Sequence, residues 1–92
     1  MDDAIAGSLA RYAEECTLTR AETRILGLAL EGLTRPGIVR EAGISVHTYQ
    51  KHVRAIRDKA GVPVFQAAIQ VLRAAVARAP QPGASVYEML LS

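Results

Sequence analysis

The clearest structural signal in the chain is the stretch of residues 43–61, GISVHTYQKHVRAIRDKAG. Ser45 is a residue type that caps the start of a helix, and Gly61 is a type that ends one. Between them, apolar residues recur at intervals of three or four positions, which predicts a helix over residues 46–60 with one face packed inward. The inward residues are Tyr49, Val53, Ile56 and Ala60.

The opposite face of this helix carries amide and cationic side chains. Residues 32–59 hold six Lys and Arg against two acidic residues and residues 1–31 hold three against six, although the chain's net charge is only +2. Basic segments attract phosphate, but they are more often simply solvated, and Arg57 and Lys59 can equally pair with Asp58. The outward residues are His47, Gln50, Lys51, Arg54, Arg57 and Asp58.

Length and composition indicate a small all-α protein. The chain has 92 residues, which predicts one domain, and it is 50% hydrophobic but only 4% aromatic, a balance typical of helices. The single cysteine, Cys16, excludes an intramolecular disulfide and a cysteine-rich metal site. The chain has no apolar run long enough for a membrane span and no signal sequence, so we expect a cytoplasmic protein with no membrane partner.

The sequence does not indicate an enzyme. Spacing brings no nucleophile, base and orienting group together, and Cys16, His47 and His52 make a poor catalytic set. We therefore expect no catalytic activity, no cofactor, no metal and no small-molecule ligand.

Capping patterns predict two helices before the basic stretch. Asp2 or Asp3 can begin a first helix, which forms an N-terminal extension over residues 1–17. Residues 19–22, TRAE, read as a capping box, in which a Thr hydroxyl and a Glu carboxylate satisfy each other's backbone N–H groups. The second helix that begins there should stop at Gly32.

Two further helices flank the basic stretch. Thr34 can cap a short third helix, with a weaker cap than the second helix has, and Gly43 can end it in a left-handed conformation. The last helix is predicted over residues 65–79. The main domain then covers residues 18–79, and residues 80–92 form a C-terminal tail.

Three segments of the chain together resemble a known family. The segments LTRAETRIL, GLTRPGIVREAGIS and HTYQKHVRAIRDKAGV are similar, in register, to the LuxR-type helix-turn-helix domain, also called the GerE type. The resemblance covers residues 18–76 and implies an all-α fold, a LuxR-type bundle of four helices with an extra N-terminal helix and a short C-terminal tail. The matching residues are Leu18, Thr19, Glu22, Gly32, Thr34, Ile38, Ile44, Ser45, Thr48, His52, Ile56, Lys59 and Val62.

The resemblance implies a DNA-binding transcriptional regulator. A shorter helix, a short turn and then a helix with an outward cationic face form the arrangement that inserts a helix into the major groove. In the groove, Arg and Lys can pair with guanine, and Gln can pair with adenine. We therefore expect helix 46–60 to enter the major groove of double-stranded DNA. The candidate DNA-binding residues are Thr34, Ser45, His47, Thr48, Gln50, Lys51, Arg54 and Arg57.

The chain departs from the family pattern at several positions. Arg24 replaces a Glu, Gln50 replaces a Lys of the recognition helix, and Phe65 replaces an Arg early in the last helix. The core positions remain apolar, so the fold interpretation is unchanged, but two cations that can face DNA are absent. A second function therefore stays open, in which the same fold binds another protein rather than specific DNA.

The last helix predicts a homodimer. One apolar stripe, Phe65, Ala68, Ile69, Leu72 and Val76, is expected to cover the core. Further apolar residues extend this surface beyond what a single surface helix needs, and the family commonly pairs through its last helix. We expect helix 65–79 to pair with a second copy through Val71, Ala67 and Ala74. The alternative is that the N-terminal helix or the tail covers this surface within one chain.

Overall fold

The computed structural model describes residues 1–78, and the predicted tail at residues 80–92 lies outside the described residues. Every regular element within this part of the chain is a helix, which confirms the all-α prediction. The five helices are α1 (Asp3–Cys16), α2 (Arg20–Leu30), α3 (Arg35–Ala42), α4 (Val46–Ala60) and α5 (Val64–Arg78).

The predicted caps account for the helix starts. Thr19 Oγ1 accepts a hydrogen bond from the Glu22 backbone N–H at 3.2 Å, and Glu22 Oε1 accepts one from the Thr19 N–H at 3.0 Å, so the capping box of α2 is present. Asp2 caps α1 by accepting from the Ala4 N–H at 2.7 Å. Thr34 is the N-cap of α3 but makes no side-chain cap hydrogen bond, as its weaker pattern predicts.

The turn between α3 and α4 determines where the short helix ends and where the basic helix begins. Gly43 ends α3 with φ 66°, a left-handed conformation in which a side chain is strained. Ser45 then caps α4 by accepting a hydrogen bond from the Thr48 N–H at 3.1 Å. The turn therefore fixes where α4 begins.

The core lies where α2, α4 and α5 meet, and α1 covers α5 from outside. α1 makes its most extensive contacts with α5, and α2 contacts α3, α4 and α5. Tyr49 and Ile56 of α4 are buried, which confirms the predicted inward face. The largest fully buried side chains are Ile25, Leu26, Ile38, Ile56 and Val71.

The predicted orientation of α5 is wrong. Phe65, Ile69 and Val76, expected to cover the core, are 46%, 48% and 65% exposed. Val71 and Ala67, expected at a dimer interface, are 0% exposed within a single chain, so they cannot meet a second copy without unfolding. The buried residues of α5 are Val64, Ala67, Ala68, Val71 and Ala75, whereas Ala74 and Leu72 are half-buried.

Two helices pack against α5 and explain this difference. α1 and α2 both make extensive contacts with α5, and the Tyr12 hydroxyl of α1 donates a hydrogen bond to Gln70 Oε1 of α5 at 2.8 Å. Val71 and Ala67 are therefore covered within one chain.

Within residues 1–78, no helix taken alone has the length and apolar character to cross a membrane. Of the helix pairs in this part of the chain, only α4 and α5, which are bent by 53° relative to each other, together reach the length and composition of a membrane span.

Candidate nucleic-acid interface

The outward face of α4 carries three exposed cations, Lys51, Arg54 and Arg57. His47, Gln50, Lys51, Arg54 and Arg57 are all exposed, which confirms that they share the solvent side of the helix. At a rise of 1.5 Å per residue, these side chains extend along roughly 15 Å of helix. The opposite side of α4 is fixed in the core by Tyr49 and Ile56, so this face is presented on a rigid element.

Two shallow depressions run along this face. The first lies beside the start of α4 and is lined by His47, Gln50, Lys51 and Arg54. The second, which we call the arginine cleft, lies between α4 and the start of α5. Gln50 and Arg54 line both depressions, so the surface is continuous. The arginine cleft is lined by Arg35, Tyr49, Gln50, Val53, Arg54, Arg57, Pro63, Val64 and Phe65.

The cations of this face form no salt bridge with a carboxylate of residues 1–78. Among residues 1–78, the one salt bridge joins Lys59 to Glu22 and involves none of the exposed cations of α4. For Lys59, the sequence left open solvation, pairing with Asp58 and a phosphate contact, and the structure instead pairs it with Glu22 of α2. Lys51, Arg54 and Arg57 are free of ion pairs within the described chain and can meet an external anion.

The Lys59–Glu22 pair orients α4 instead of contacting a ligand. Lys59 Nζ lies 2.7 Å from Glu22 Oε1, the same oxygen that accepts the Thr19 backbone N–H. Burial raises the pKa of Glu22, but the hydrogen bonds from Lys59 and from the Thr19 backbone lower it by more, so the pKa lies below its ordinary value. The carboxylate therefore stays charged and ties the end of α4 to the start of α2.

The three hydroxyl residues predicted to contact DNA differ in their availability. Ser45 is exposed, but its hydroxyl accepts a hydrogen bond from the Thr48 N–H and donates one to Thr48 Oγ1 at 3.0 Å. Both residues therefore stabilise the first turn of α4. Thr48 is half-buried, whereas Thr34 is exposed at the start of α3. Helix starts present unpaired N–H groups to anions, so these positions suit phosphate contacts better than base contacts.

Sequence reasoning missed Arg35 as a member of this surface. Its guanidinium lies 5.9 Å from the centre of the Tyr49 ring, at the outer limit of a cation–π contact. Burial raises the pKa of the Tyr49 hydroxyl, and the nearby Arg35 charge opposes that effect. The contact joins α3 to α4 across the turn, and its only sequence signal was the place of Arg35 in the basic segment.

Residues 1–78 contain no group of three or more His, Cys, Asp or Glu side chains that could hold a metal ion. Comparison with models of protein families, with curated proteins and with solved structures gave no match for this chain.

Proposed function

We propose that this chain is a DNA-binding transcriptional regulator that inserts α4 into the major groove of double-stranded DNA. The observation that carries the proposal is the outward face of α4, where exposed cations that form no salt bridge among residues 1–78 flank Gln50, while the inward face packs in the core. The major groove admits one helix, and these side chains match guanine and adenine acceptors and donors. The shorter α3 before the turn is then available to cross the DNA backbone.

The LuxR-type arrangement is part of this proposal. The resemblance over residues 18–76 supports it, as do the capping box of α2 and the left-handed Gly43 between α3 and α4. The apolar family positions Ile38 and Ile56 are fully buried, as they need to be in such a bundle. α1 then adds a cover to α5 that the family pattern does not include.

The salt dependence of DNA binding tests the proposal. Four exposed cations line the two depressions, namely Arg35, Lys51, Arg54 and Arg57. If each neutralises one phosphate, the slope of log affinity against log salt is about −3.6 per protomer, and a fourfold rise in salt weakens binding about 10²-fold. The measurement is fluorescence anisotropy of a labelled random duplex. Absence of binding at low salt, or a flat response, would support the alternative function of binding another protein.

Single substitutions distinguish recognition of bases from general attraction of the DNA backbone by positive charge. Arg54→Ala and Lys51→Ala should each weaken binding to a selected DNA site by about 1–3 kcal/mol, and Gln50→Ala should relax the preference at one base pair. Arg73→Ala is the matched control, because Arg73 is exposed on α5 away from this face. Equal effects of Arg73→Ala and Arg54→Ala would contradict insertion of α4.

We also propose that the regulator is a homodimer, which pairs through the exposed side of α5. Two exposed residues, Ile69 and Val76, are available for this contact, with the half-buried Leu72 between them, and we call these three residues the outer stripe. Exposed apolar residues in one line along a helix are typical of a helix–helix contact. Paired α5 helices would set two copies of α4 on successive major grooves, about one DNA turn apart.

A further inference from the structure

The arginine cleft contains more apolar surface than a phosphate-binding surface needs. Its volume is about 370 Å³, within the usual range for ligand sites of ~300–1,000 Å³. Phe65 is 46% exposed on one side of the cleft, and Val53 is half-buried at its base. The buried Tyr49 and Val64 complete an apolar floor. DNA phosphates gain nothing from such a floor, so it suits an occupant with an apolar group.

The rim of the cleft has the opposite character. Arg35, Arg54 and Arg57 are exposed, line the cleft, and take no part in a salt bridge among residues 1–78. None of the described residues that line the cleft is acidic. Three guanidinium groups around one cleft attract carboxylates, which Arg can bind with two parallel hydrogen bonds. The occupant should therefore combine several negative charges with one apolar group.

We propose that the arginine cleft binds an acidic segment of a partner protein, with one aliphatic or aromatic side chain of that segment seated on the apolar floor. The cleft is an open depression, whereas a small-molecule site encloses most of its ligand. A protein segment suits an open cleft better, because it can insert one anchor side chain and place its carboxylates on arginines contributed by both α3 and α4.

Occupation of the cleft regulates access to DNA, a consequence that rests on the proposed function. Gln50 and Arg54 line both the cleft and the depression at the start of α4. A segment that covers these two residues blocks the side of α4 that enters the groove. The acidic partner is therefore an inhibitor of DNA binding that competes directly for the same side chains.

A short peptide tests the cleft without knowledge of the natural partner. The probe is a fluorescein-labelled peptide with several glutamates around a Leu-Xaa-Xaa-Phe pair, followed by fluorescence anisotropy with the full chain. We expect saturable binding that is lost when the Leu and Phe are replaced by Ala, and lost again when the glutamates are replaced by Gln. Absence of saturable binding at low salt, or equal binding of the peptide without anchors, overturns the proposal.

Two protein variants distinguish the cleft from the DNA-reading face. Phe65→Ala should weaken peptide binding about tenfold, the loss expected for an anchor contact, whereas the salt slope of duplex binding should stay the same, because the substitution removes no charge. Lys51→Ala should weaken duplex binding and leave peptide binding unchanged, because Lys51 lies outside the cleft. Phe65→Leu keeps the floor apolar and should retain most of the peptide affinity, which guards against a loss caused by misfolding. Unchanged peptide binding by Phe65→Ala overturns the proposal.

The two proposals fail in different ways. If the peptide binds with the expected dependence on its anchors but the duplex does not bind, the cleft proposal stands and the DNA-binding proposal fails. If the duplex binds but the peptide does not, the cleft proposal fails alone. If both bind, the unlabelled peptide should displace the duplex, and simultaneous binding of both overturns the proposed competition.

Discussion

The ion pair between Glu22 and Lys59 offers a direct test of how the start of α2 is tied to the end of α4. Glu22 Oε1 lies 2.7 Å from Lys59 Nζ and accepts the Thr19 backbone N–H at 3.0 Å. Lys59→Met keeps most of the apolar stem of the side chain but removes the ammonium group. Oε1 then retains one donor in place of two, and a buried carboxylate loses its counter-charge. We expect this substitution to destabilise the fold.

The burial of the two side chains sets the magnitude. The Glu22 side chain is 6% exposed and that of Lys59 is 33% exposed, so water screens the ammonium but scarcely reaches the carboxylate. A hydrogen bond to a charged group contributes about 1.5–3 kcal/mol, and screening of Lys59 reduces the expected loss to about 1–2 kcal/mol. In a domain of this size, each kcal/mol lowers the melting temperature by about 4–8 °C.

Acid pH should remove the difference between the two proteins. The folded-state pKa of Glu22 lies below its ordinary value of 4.5, because the hydrogen bonds from Lys59 and Thr19 outweigh the opposing effect of burial. The stabilisation from Glu22 is therefore complete above the unfolded-state pKa near 4.5 and is lost as pH falls through the lower folded-state pKa. Once Glu22 is protonated, the ammonium group of Lys59 no longer contributes to the free energy of unfolding through this pair.

Urea unfolding followed by far-UV circular dichroism, at about pH 7 and at successively lower pH values below 4.5, measures both effects. Lys51→Met is the matched control, because Lys51 is exposed on the same helix and forms no salt bridge within the described chain. The control should change the free energy of unfolding by less than about 0.5 kcal/mol. Equal destabilisation by the two substitutions, or a gap for Lys59→Met that persists at acid pH, would refute the reasoning.

Three further substitutions test the arrangement of the helices. Val71→Glu should unfold much of the protein, with a loss above about 3 kcal/mol, because Val71 is 0% exposed and the new charge has no buried partner; a well-folded variant by circular dichroism would contradict the packing of α5. Ile69→Glu should keep the helix content and make the protein monomeric in sedimentation, since Ile69 is 48% exposed on the outer stripe; a monomer without any substitution would remove the dimer proposal. Thr17→Gly should stabilise the fold by about 1 kcal/mol in thermal unfolding, because Thr17 has φ 58° and its branched side chain is strained there; Thr17→Ala, which keeps a Cβ, should gain less.

The helix boundaries were predictable because their signals are local. Thr19 and Glu22 carry the capping box within four residues of each other, and Ser45 and Gly61 mark the two ends of α4. The residues at these ends meet partners in the same turn of helix, so the sequence contains the whole interaction. The outward face of α4 was predictable for a similar reason, since its apolar and charged residues alternate clearly at helical spacing.

The orientation of α5 was not predictable in this way. This helix is apolar over more than one face, so periodicity alone does not separate Val71 from Ile69. The choice between them depends on where α1 and α2 dock, and the Tyr12–Gln70 hydrogen bond joins residues 58 positions apart. The Glu22–Lys59 pair spans 37 positions and was missed for the same reason, because no local pattern indicates which residue of a distant helix Lys59 meets.

The contact between α1 and α5 cannot form until α5 has been synthesised. α1 ends at Cys16 and α5 begins at Val64, so the ribosome completes three other helices before the main partner of α1 exists. At about 5–20 residues per second, this interval lasts several seconds. During it, Tyr12 has no Gln70 to bind, and the apolar side of α1 is open to chaperones and to neighbouring nascent chains. Of the five described helices, α1 is translated before the other four and is among the last to reach its final surroundings.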